Sequence, residues 1–189
     1  MEPSVQPPFQ VRPARSRREL DATRHLFAAY ATSLQVALDY QGFGSEITDL
    51  PGKYALPKGE LLVAWDAADR PVACVGLRPL NDDHTCEMKR LYVLPEARSF
   101  GLGKMLAQAV IEAAKARGYS SLRLDTLSTM TTAANLYDRT GFRRIDPYYG
   151  PTPPGTIFME LDLTCSVRFP PIADNCSNRS GCPAERSME

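Results

Sequence analysis

The sequence lacks the features of a membrane-spanning or secreted protein. No run of about 18 apolar residues occurs in its 189 residues, so we expect no membrane span. The N-terminal segment MEPSVQPPFQ has no basic region followed by an apolar one, so we expect no secretory signal and a cytoplasmic location. The chain also lacks a charge excess, since 22 Lys and Arg face 22 Asp and Glu, and this balance argues against a nucleic-acid-binding protein.

Patterns for binding a metal are missing as well. Of the five cysteines, Cys74 and Cys86 lie in apolar strand-like runs and are expected to be buried, and the spacings of Cys165, Cys176 and Cys182 match no zinc motif. Neither of the two histidines has a Cys, Asp or Glu partner at motif spacing. We therefore expect no metal site and reduced cysteines.

The middle of the chain carries the patterns of one folded domain, at residues 9–163. Residues 1–8 are polar and rich in proline, which predicts a disordered N-terminal tail. Residues 164–189 show no sustained periodicity and predict a loosely ordered C-terminal tail. Within the domain, a capping-box spacing and apolar residues at helical intervals predict a first helix at about residues 17–38.

The most informative stretch is a strand, a glycine-containing turn and a helix. Residues 86–93 have the pattern of a fourth strand, and the segment from Arg98 to Gly103 reads Arg-x-x-Gly-x-Gly. An amphipathic helix follows to about Arg117, with Gly118 as its stop. Because a helix N-terminus presents backbone N–H groups and partial positive charge, this turn is suited to an anion such as a phosphate group.

Single positions exclude two familiar phosphate-binding motifs. A P-loop needs glycine where Arg98 stands and Ser or Thr where Met105 stands. A dinucleotide-binding turn needs a third glycine where Leu106 stands. On this turn alone, a plain helix cap without a ligand remains open.

A second motif, Leu136-Tyr137-x-x-x-Gly141-Phe142, follows the first at a suitable separation. The two motifs together resemble the GCN5-related N-acetyltransferase superfamily, over about residues 9–163. The resemblance implies a mixed α/β (α+β) fold, the acyl-CoA N-acyltransferase fold. In it a mostly antiparallel central sheet of six to seven strands is splayed between its fourth and fifth strands and flanked by about four helices.

The resemblance also implies that acetyl-CoA is the acyl donor. Its implied contacts lie at the end of the fourth strand and in the glycine turn: Leu91, Tyr92, Val93, Arg98, Ser99, Phe100, Gly101, Leu102, Gly103 and Lys104. Many family members carry an asparagine shortly before the helix of the second motif. This chain has none there, and Ser128 is our candidate for that contact.

The reaction requires proton transfers. Holding an amine of pKa about 10.4 neutral at pH 7 costs roughly 4–5 kcal/mol, so a general base would help. Glu87, eleven residues before Arg98, stands where the resemblance implies such a base, acting directly or through water. The alternative is a solvent-facing carboxylate paired with Lys89. Tyr137 matches the tyrosine that protonates the CoA sulfur in many members; the alternative is a core aromatic residue.

The acceptor site is expected at two loops that combine aromatic residues with glycine or proline, as binding loops often do. Our candidates there are Phe43, Tyr148 and Tyr149, and simple loop packing is the alternative. The expected acceptor is a primary amine of a small molecule or peptide, with neither nucleic acid nor membrane as a partner; a homodimer is compatible with the sequence. A non-catalytic acyl-CoA-binding regulatory module is the alternative function, and the presence of both Glu87 and Tyr137 argues against it.

Overall fold

The computed structural model describes residues 8–34, 38 and 41–165. The predicted tails lie outside this part of the chain except for residues 8, 164 and 165. The described strands and helices follow one another along the chain as β1 (Phe9–Pro13), α1 (Arg17–Ser33), α2 (Phe43–Thr48), β2 (Glu60–Asp66), β3 (Pro71–Pro79), β4 (Thr85–Val93), α3 (Leu102–Ala116), β5 (Ser121–Leu127), α4 (Thr131–Thr140), β6 (Arg143–Ile145) and β7 (Thr156–Asp162).

The seven strands form one sheet in the order β1-β2-β3-β4-β5-β7-β6. Neighbouring strands are antiparallel except for β4 and β5, which are parallel. The mixed, mostly antiparallel sheet and the four helices confirm the predicted fold. None of the described helices is both long enough and apolar enough to cross a membrane.

The parallel pair opens into a fork. β4 and β5 pair only at their first residues, from Thr85↔Ser121 to Glu87↔Arg123. Beyond Glu87 the two strands continue without pairing to each other, so the β4 main chain that faces β5 has no strand partner in the described structure. An extended ligand can pair with such a strand edge.

Apolar cores cover both faces of the sheet. On one face, α3 contributes five buried residues to a core that also contains Tyr137 and Phe142. On the other, α1 and the segment around Tyr54 pack against β2 and β3. The fork is thus held between two packed layers, which gives its side chains fixed surroundings.

Helix α1 begins as predicted but ends earlier. Ser16 and Glu19 form the expected capping box. The helix ends at Ser33, and Leu34 already has extended backbone angles, so the prediction of a helix to residue 38 was wrong. The spacing of apolar residues continues to Leu34 and Leu38, which suggested a longer helix. Both residues are apolar because they line a cavity in the fork, not because they lie on a helix face.

Candidate active site

The glycine turn forms the N-terminus of α3. Gly101 is the helix cap and has φ of 74°, a left-handed conformation that favours glycine. The first intrahelical bond runs from the Met105 N–H to the Gly101 carbonyl, so the N–H groups of Leu102 and Gly103 point out of the helix end. A Cβ at Gly101 would meet nothing within 4 Å, so an approaching group has open space there.

A groove of about 580 Å³ runs from this turn toward the fork. Nine of the residues predicted to contact acetyl-CoA line it: Leu91, Tyr92, Val93, Arg98, Ser99, Gly101, Leu102, Gly103 and Lys104. The Arg98 guanidinium donates from Nε to the Val93 carbonyl at 3.2 Å, which ties the turn to the end of β4. We call this cavity the turn groove.

Two predicted residues lie outside the turn groove. The Phe100 side chain points away, is 61% exposed and packs against Phe9 with ring centroids 5.3 Å apart. Ser128 is exposed and its N–H donates to the Gly155 carbonyl at 2.8 Å. Its neighbour Thr129 lines the groove instead.

Strand β4 contains a bulge where it borders the groove. Gly76 pairs with Lys89 and Cys74 pairs with Tyr92, so two steps on β3 correspond to three steps on β4. The extra residue is accommodated by Arg90, which has φ of 58°. A bulge leaves main-chain groups outside the ladder, and sequence analysis could not predict it.

A smaller cavity of about 40 Å³ lies inside the fork. It shares four lining residues with the turn groove, so the two are adjacent: Tyr30, Leu34, Leu91 and Met130. Its other polar residues are Gln41, Lys89, Arg90, Asp125, Thr126 and Tyr137. We call it the fork cavity.

Tyr137 reaches the fork cavity from α4. It is buried, and its ring packs against Phe142 with centroids 5.7 Å apart. Burial raises the pKa of Tyr137, with Tyr30 and Asp125 adding to the rise, so the phenol is protonated at neutral pH and can donate. The residue is therefore both part of the core and a wall of the cavity.

Glu87 is buried, so the solvent-facing part of that alternative was wrong, although Lys89 does lie beside it. Its side chain has 0% exposure. Arg78, its partner in the β3–β4 register, donates from Nε to Oε2 at 2.7 Å. The hydroxyl of Tyr148 donates to Oε1 at 2.7 Å, and the Lys89 ammonium lies 3.7 Å from the same oxygen.

Lys89 bridges the two arms of the fork. Its ammonium lies 2.5 Å from Asp125 Oδ1 on β5 and over the ring of Tyr149 at 5.6 Å. The Lys89 side chain is 4% exposed and that of Asp125 is 12% exposed. The pair therefore joins β4 and β5 just beyond the point where their backbone pairing ends.

A third ion pair holds α2 against the bulge. Arg90 donates to both Glu46 oxygens, at 3.0 Å and 2.6 Å, and Tyr54 donates to Glu46 at 2.6 Å. Burial works to raise the pKa of Glu46, but the hydrogen bonds and charge of Arg90 outweigh it, so the pKa is lowered. Phe43 lies beneath the Arg90 guanidinium, which is 5.0 Å from the ring centroid.

The predicted acceptor loops meet at the far side of the fork. Gln41 donates from Nε2 to the Tyr149 hydroxyl at 3.0 Å, and its Oε1 accepts from Arg90 at 2.8 Å. Besides the fork cavity, Gln41 lines a further cavity of about 380 Å³, whose walls include Glu46, Tyr54 and Arg78. We call it the Arg78 cavity. The fork cavity thus lies between the turn groove, with which it shares four lining residues, and the Arg78 cavity, with which it shares Gln41.

The acidic and basic side chains of the fork balance. Three basic residues pair with three acidic ones, as Arg78 with Glu87, Lys89 with Asp125 and Arg90 with Glu46. Sequence analysis missed Arg78, Arg90 and Asp125 as members of the site. Residues 121–125 alternate between polar and apolar, which puts Asp125 on the polar face of β5, but only the three-dimensional pairing shows that it meets Lys89. No cluster of three or more potential metal ligands occurs among the described residues.

Comparison with known proteins agrees with this geometry. The family model for the acetyltransferase (GNAT) family matches residues 21–142. The chain is 36% identical over 147 residues to an uncharacterised N-acetyltransferase of Schizosaccharomyces pombe. The alignment covers 78% of this chain and 90% of that relative. It is 31% identical over 145 residues to the N-acetylaspartate synthetase of Danio rerio, covering 75% of this chain and 51% of that protein.

The fold recurs in solved structures. An acetyltransferase of the GNAT family from Staphylococcus aureus superposes with a TM-score of 0.68 at 19% identity, over 82% of this chain and 99% of that one. An acetyltransferase from Streptococcus agalactiae gives the same TM-score and identity, over 82% and 98%. Family model, relatives, fork and glycine turn agree, and the chain belongs to the GNAT acetyltransferase family.

Proposed function

We propose that this chain transfers an acetyl group from acetyl-CoA to a primary amine by direct attack of the amine. The observation that carries the proposal is the row of adjacent cavities, with the glycine turn at one end and Tyr137 in the middle. The turn groove supports binding of the pyrophosphate at the helix N-terminus and of the extended arm along the unpaired edge of β4. Acetyl-CoA supplies the activated acetyl group.

In this proposal the remaining steps are performed by the chain's own residues. Tyr137 donates a proton to the departing thiolate, because its phenol is held in the protonated form. Glu87 is the final acceptor of the amine proton, as proposed from the sequence. Since its side chain is fully buried, the proton reaches it indirectly. Direct attack is favoured because the described part of the fork cavity is lined by neither cysteine nor serine.

The acceptor is proposed to enter from the Arg78 cavity, past Gln41, Tyr148 and Tyr149. Its class is a primary amine of a small molecule or peptide. The relative named as an N-acetylaspartate synthetase suggests an amino acid, and a structural neighbour named as a spermidine N-acetyltransferase suggests a polyamine. A screening panel should therefore contain L-aspartate, spermidine, an aminoglycoside and a peptide with a free N-terminus.

Gly101→Glu tests the donor site. A carboxylate at the helix N-terminus would occupy the place of a phosphate group and repel it, so acetyl-CoA affinity should fall at least about 100-fold, a loss of roughly 2.7 kcal/mol. Isothermal titration with acetyl-CoA measures this. Gly101→Ala is the matched control, because it carries the same backbone strain at φ of 74° without the charge. Unchanged affinity in Gly101→Glu would refute the site assignment.

A further inference from the structure

The Glu87 carboxylate cannot be reached directly by an acceptor amine in this arrangement. Its side chain has 0% exposure, so no part of the carboxylate is open to an approaching amine. This inference rests on the proposed function, in which Glu87 is the final proton acceptor. Another group must then carry the proton to it.

The described contacts of Glu87 differ in what they can transfer. Arg78 approaches Oε2 from two nitrogens, each at 2.7 Å, and Lys89 lies 3.7 Å from Oε1. A guanidinium and an ammonium have donors only, so neither can take a proton from a substrate. The Tyr148 hydroxyl donates to Oε1 at 2.7 Å, and its oxygen also has lone pairs. Among these contacts, it alone can accept one proton while giving up another.

Tyr148 also lies on the side from which the acceptor is proposed to enter. The residue is partly exposed, unlike Glu87, and its ring packs edge-on against Tyr149 and Phe158 at 5.4 Å and 5.0 Å. Tyr149 is hydrogen-bonded to Gln41, which lines both the fork cavity and the Arg78 cavity. The Tyr148–Glu87 hydrogen bond therefore leads from the acceptor side into the buried interior.

We propose that Tyr148 is the proton relay between the acceptor amine and Glu87. The N–H bond of the acceptor breaks as its proton passes to the Tyr148 oxygen. In the same step the O–H bond of Tyr148 breaks and its proton passes to Glu87 Oε1. Tyr148 ends neutral, Glu87 ends as a neutral carboxylic acid, and the acceptor has lost one positive charge.

The surroundings favour a concerted transfer. Arg78 engages Oε2 and so leaves Oε1 as the receiving atom. Burial and the neighbouring Glu87 charge raise the pKa of Tyr148, which opposes formation of a free phenolate. The titratable and charged groups that face Tyr148 and Glu87 come from β3, β4, β5 and the β6–β7 loop: Arg78, Lys89, Arg123, Asp125 and Tyr149.

The test compares Tyr148→Phe, Glu87→Gln and the double variant, assayed as CoA release with L-aspartate, spermidine, an aminoglycoside and a free-N-terminus peptide. Each single variant should lower kcat/KM about 100-fold, within the usual range for a lost proton transfer. The double variant should lose no more than either single one, because both act on one proton. The control is Tyr119→Phe, whose hydroxyl donates to the Lys58 carbonyl away from the fork and whose activity should match the wild type.

The pH profile separates a relay from a structural role. Without the relay only an already neutral amine reacts, so log kcat/KM of Tyr148→Phe should rise in step with pH toward the amine's own pKa, while the wild type levels off earlier. Wild-type activity in Tyr148→Phe would overturn the relay alone, as would additive losses in the double variant. If kcat/KM fell in Asp125→Asn but not in Tyr148→Phe, the relay would be overturned and Asp125 would be the proton acceptor. No turnover by the wild type on any amine would overturn the proposed function as well.

Discussion

Tyr137 and Tyr148 have the same side chain but are assigned different tasks, because their surroundings differ. Tyr137 stands on a helix, is packed in the core and faces the fork cavity beside Asp125. Tyr148 stands in a loop and is bonded to a buried carboxylate. In the proposed mechanism the first supplies a proton to the cavity, whereas the second receives one and passes another on to Glu87.

Tyr137→Phe should lower kcat about 100-fold, near the lower limit for a lost general acid, because a thiol of pKa near 8.5 leaves fairly well without protonation. Steady-state kinetics of CoA release measures the change, and titration with acetyl-CoA should show unaltered affinity. The phenyl ring retains its packing against Phe142, so the variant should fold normally. An unchanged kcat would return Tyr137 to a purely structural role in the core.

At the scale of elements, the decisive feature is that β4 pairs with β3 along nearly its whole length but with β5 only at its start. Its first residues pair with β5, and its later residues bulge away from β3 at Arg90 and leave the fork open. Helix α2 is attached to this bulge by the ion pair of Glu46 with Arg90. The apolar residues of this short helix, Phe43 and Ile47, are only partly buried against the core, so we expect the ion pair to contribute strongly to its attachment.

Glu46→Gln should destabilise the protein by about 3 kcal/mol at neutral pH, because it leaves the Arg90 charge buried without its counter-ion. The pKa of Glu46 is lower in the folded state than in the unfolded state. The stabilisation is therefore present above about pH 4.5, its ordinary value, and is lost as the pH falls through the folded-state pKa.

Urea unfolding across the acidic range measures both effects. The wild type should lose stability below about pH 4.5 more steeply than Glu46→Gln. Glu112→Gln is the control, since its ion pair with Lys115 is 66% exposed on the Glu112 side and should contribute less than about 1 kcal/mol. Equal stability of wild type and Glu46→Gln at neutral pH would show that the pair does not hold α2.

For the whole molecule, local patterns predicted the elements and motifs but not their charged junctions. Helix α3 followed from its apolar stripe and its flanking glycines, which are encoded within one stretch of chain. The pairing of Lys89 with Asp125 joins residues 36 positions apart, and that of Arg90 with Glu46 joins residues 44 apart. Such pairs depend on strand order and register, which a single sequence does not specify.

The same reasoning explains the two errors. The first helix was predicted too long because periodicity continues through Leu34, although the chain there turns toward the fork. The solvent-facing alternative for Glu87 failed because a polar residue on a strand was taken to face water, whereas Arg78 compensates its charge inside the protein.

We propose that residues 9–163 make up the catalytic domain.

The most direct measurement of the central claim is acetyl transfer itself. The full chain is incubated with acetyl-CoA and the amine panel. The release of the CoA thiol is followed, and the masses of the amines are measured by mass spectrometry. The account predicts that at least one amine gains a single acetyl group in step with CoA release, and that Gly101→Glu abolishes both. Tight binding of acetyl-CoA with no acetylated amine would contradict it and favour a regulatory module. Thermal stabilisation by ATP with Mg²⁺ but not by acetyl-CoA would contradict the donor site as well.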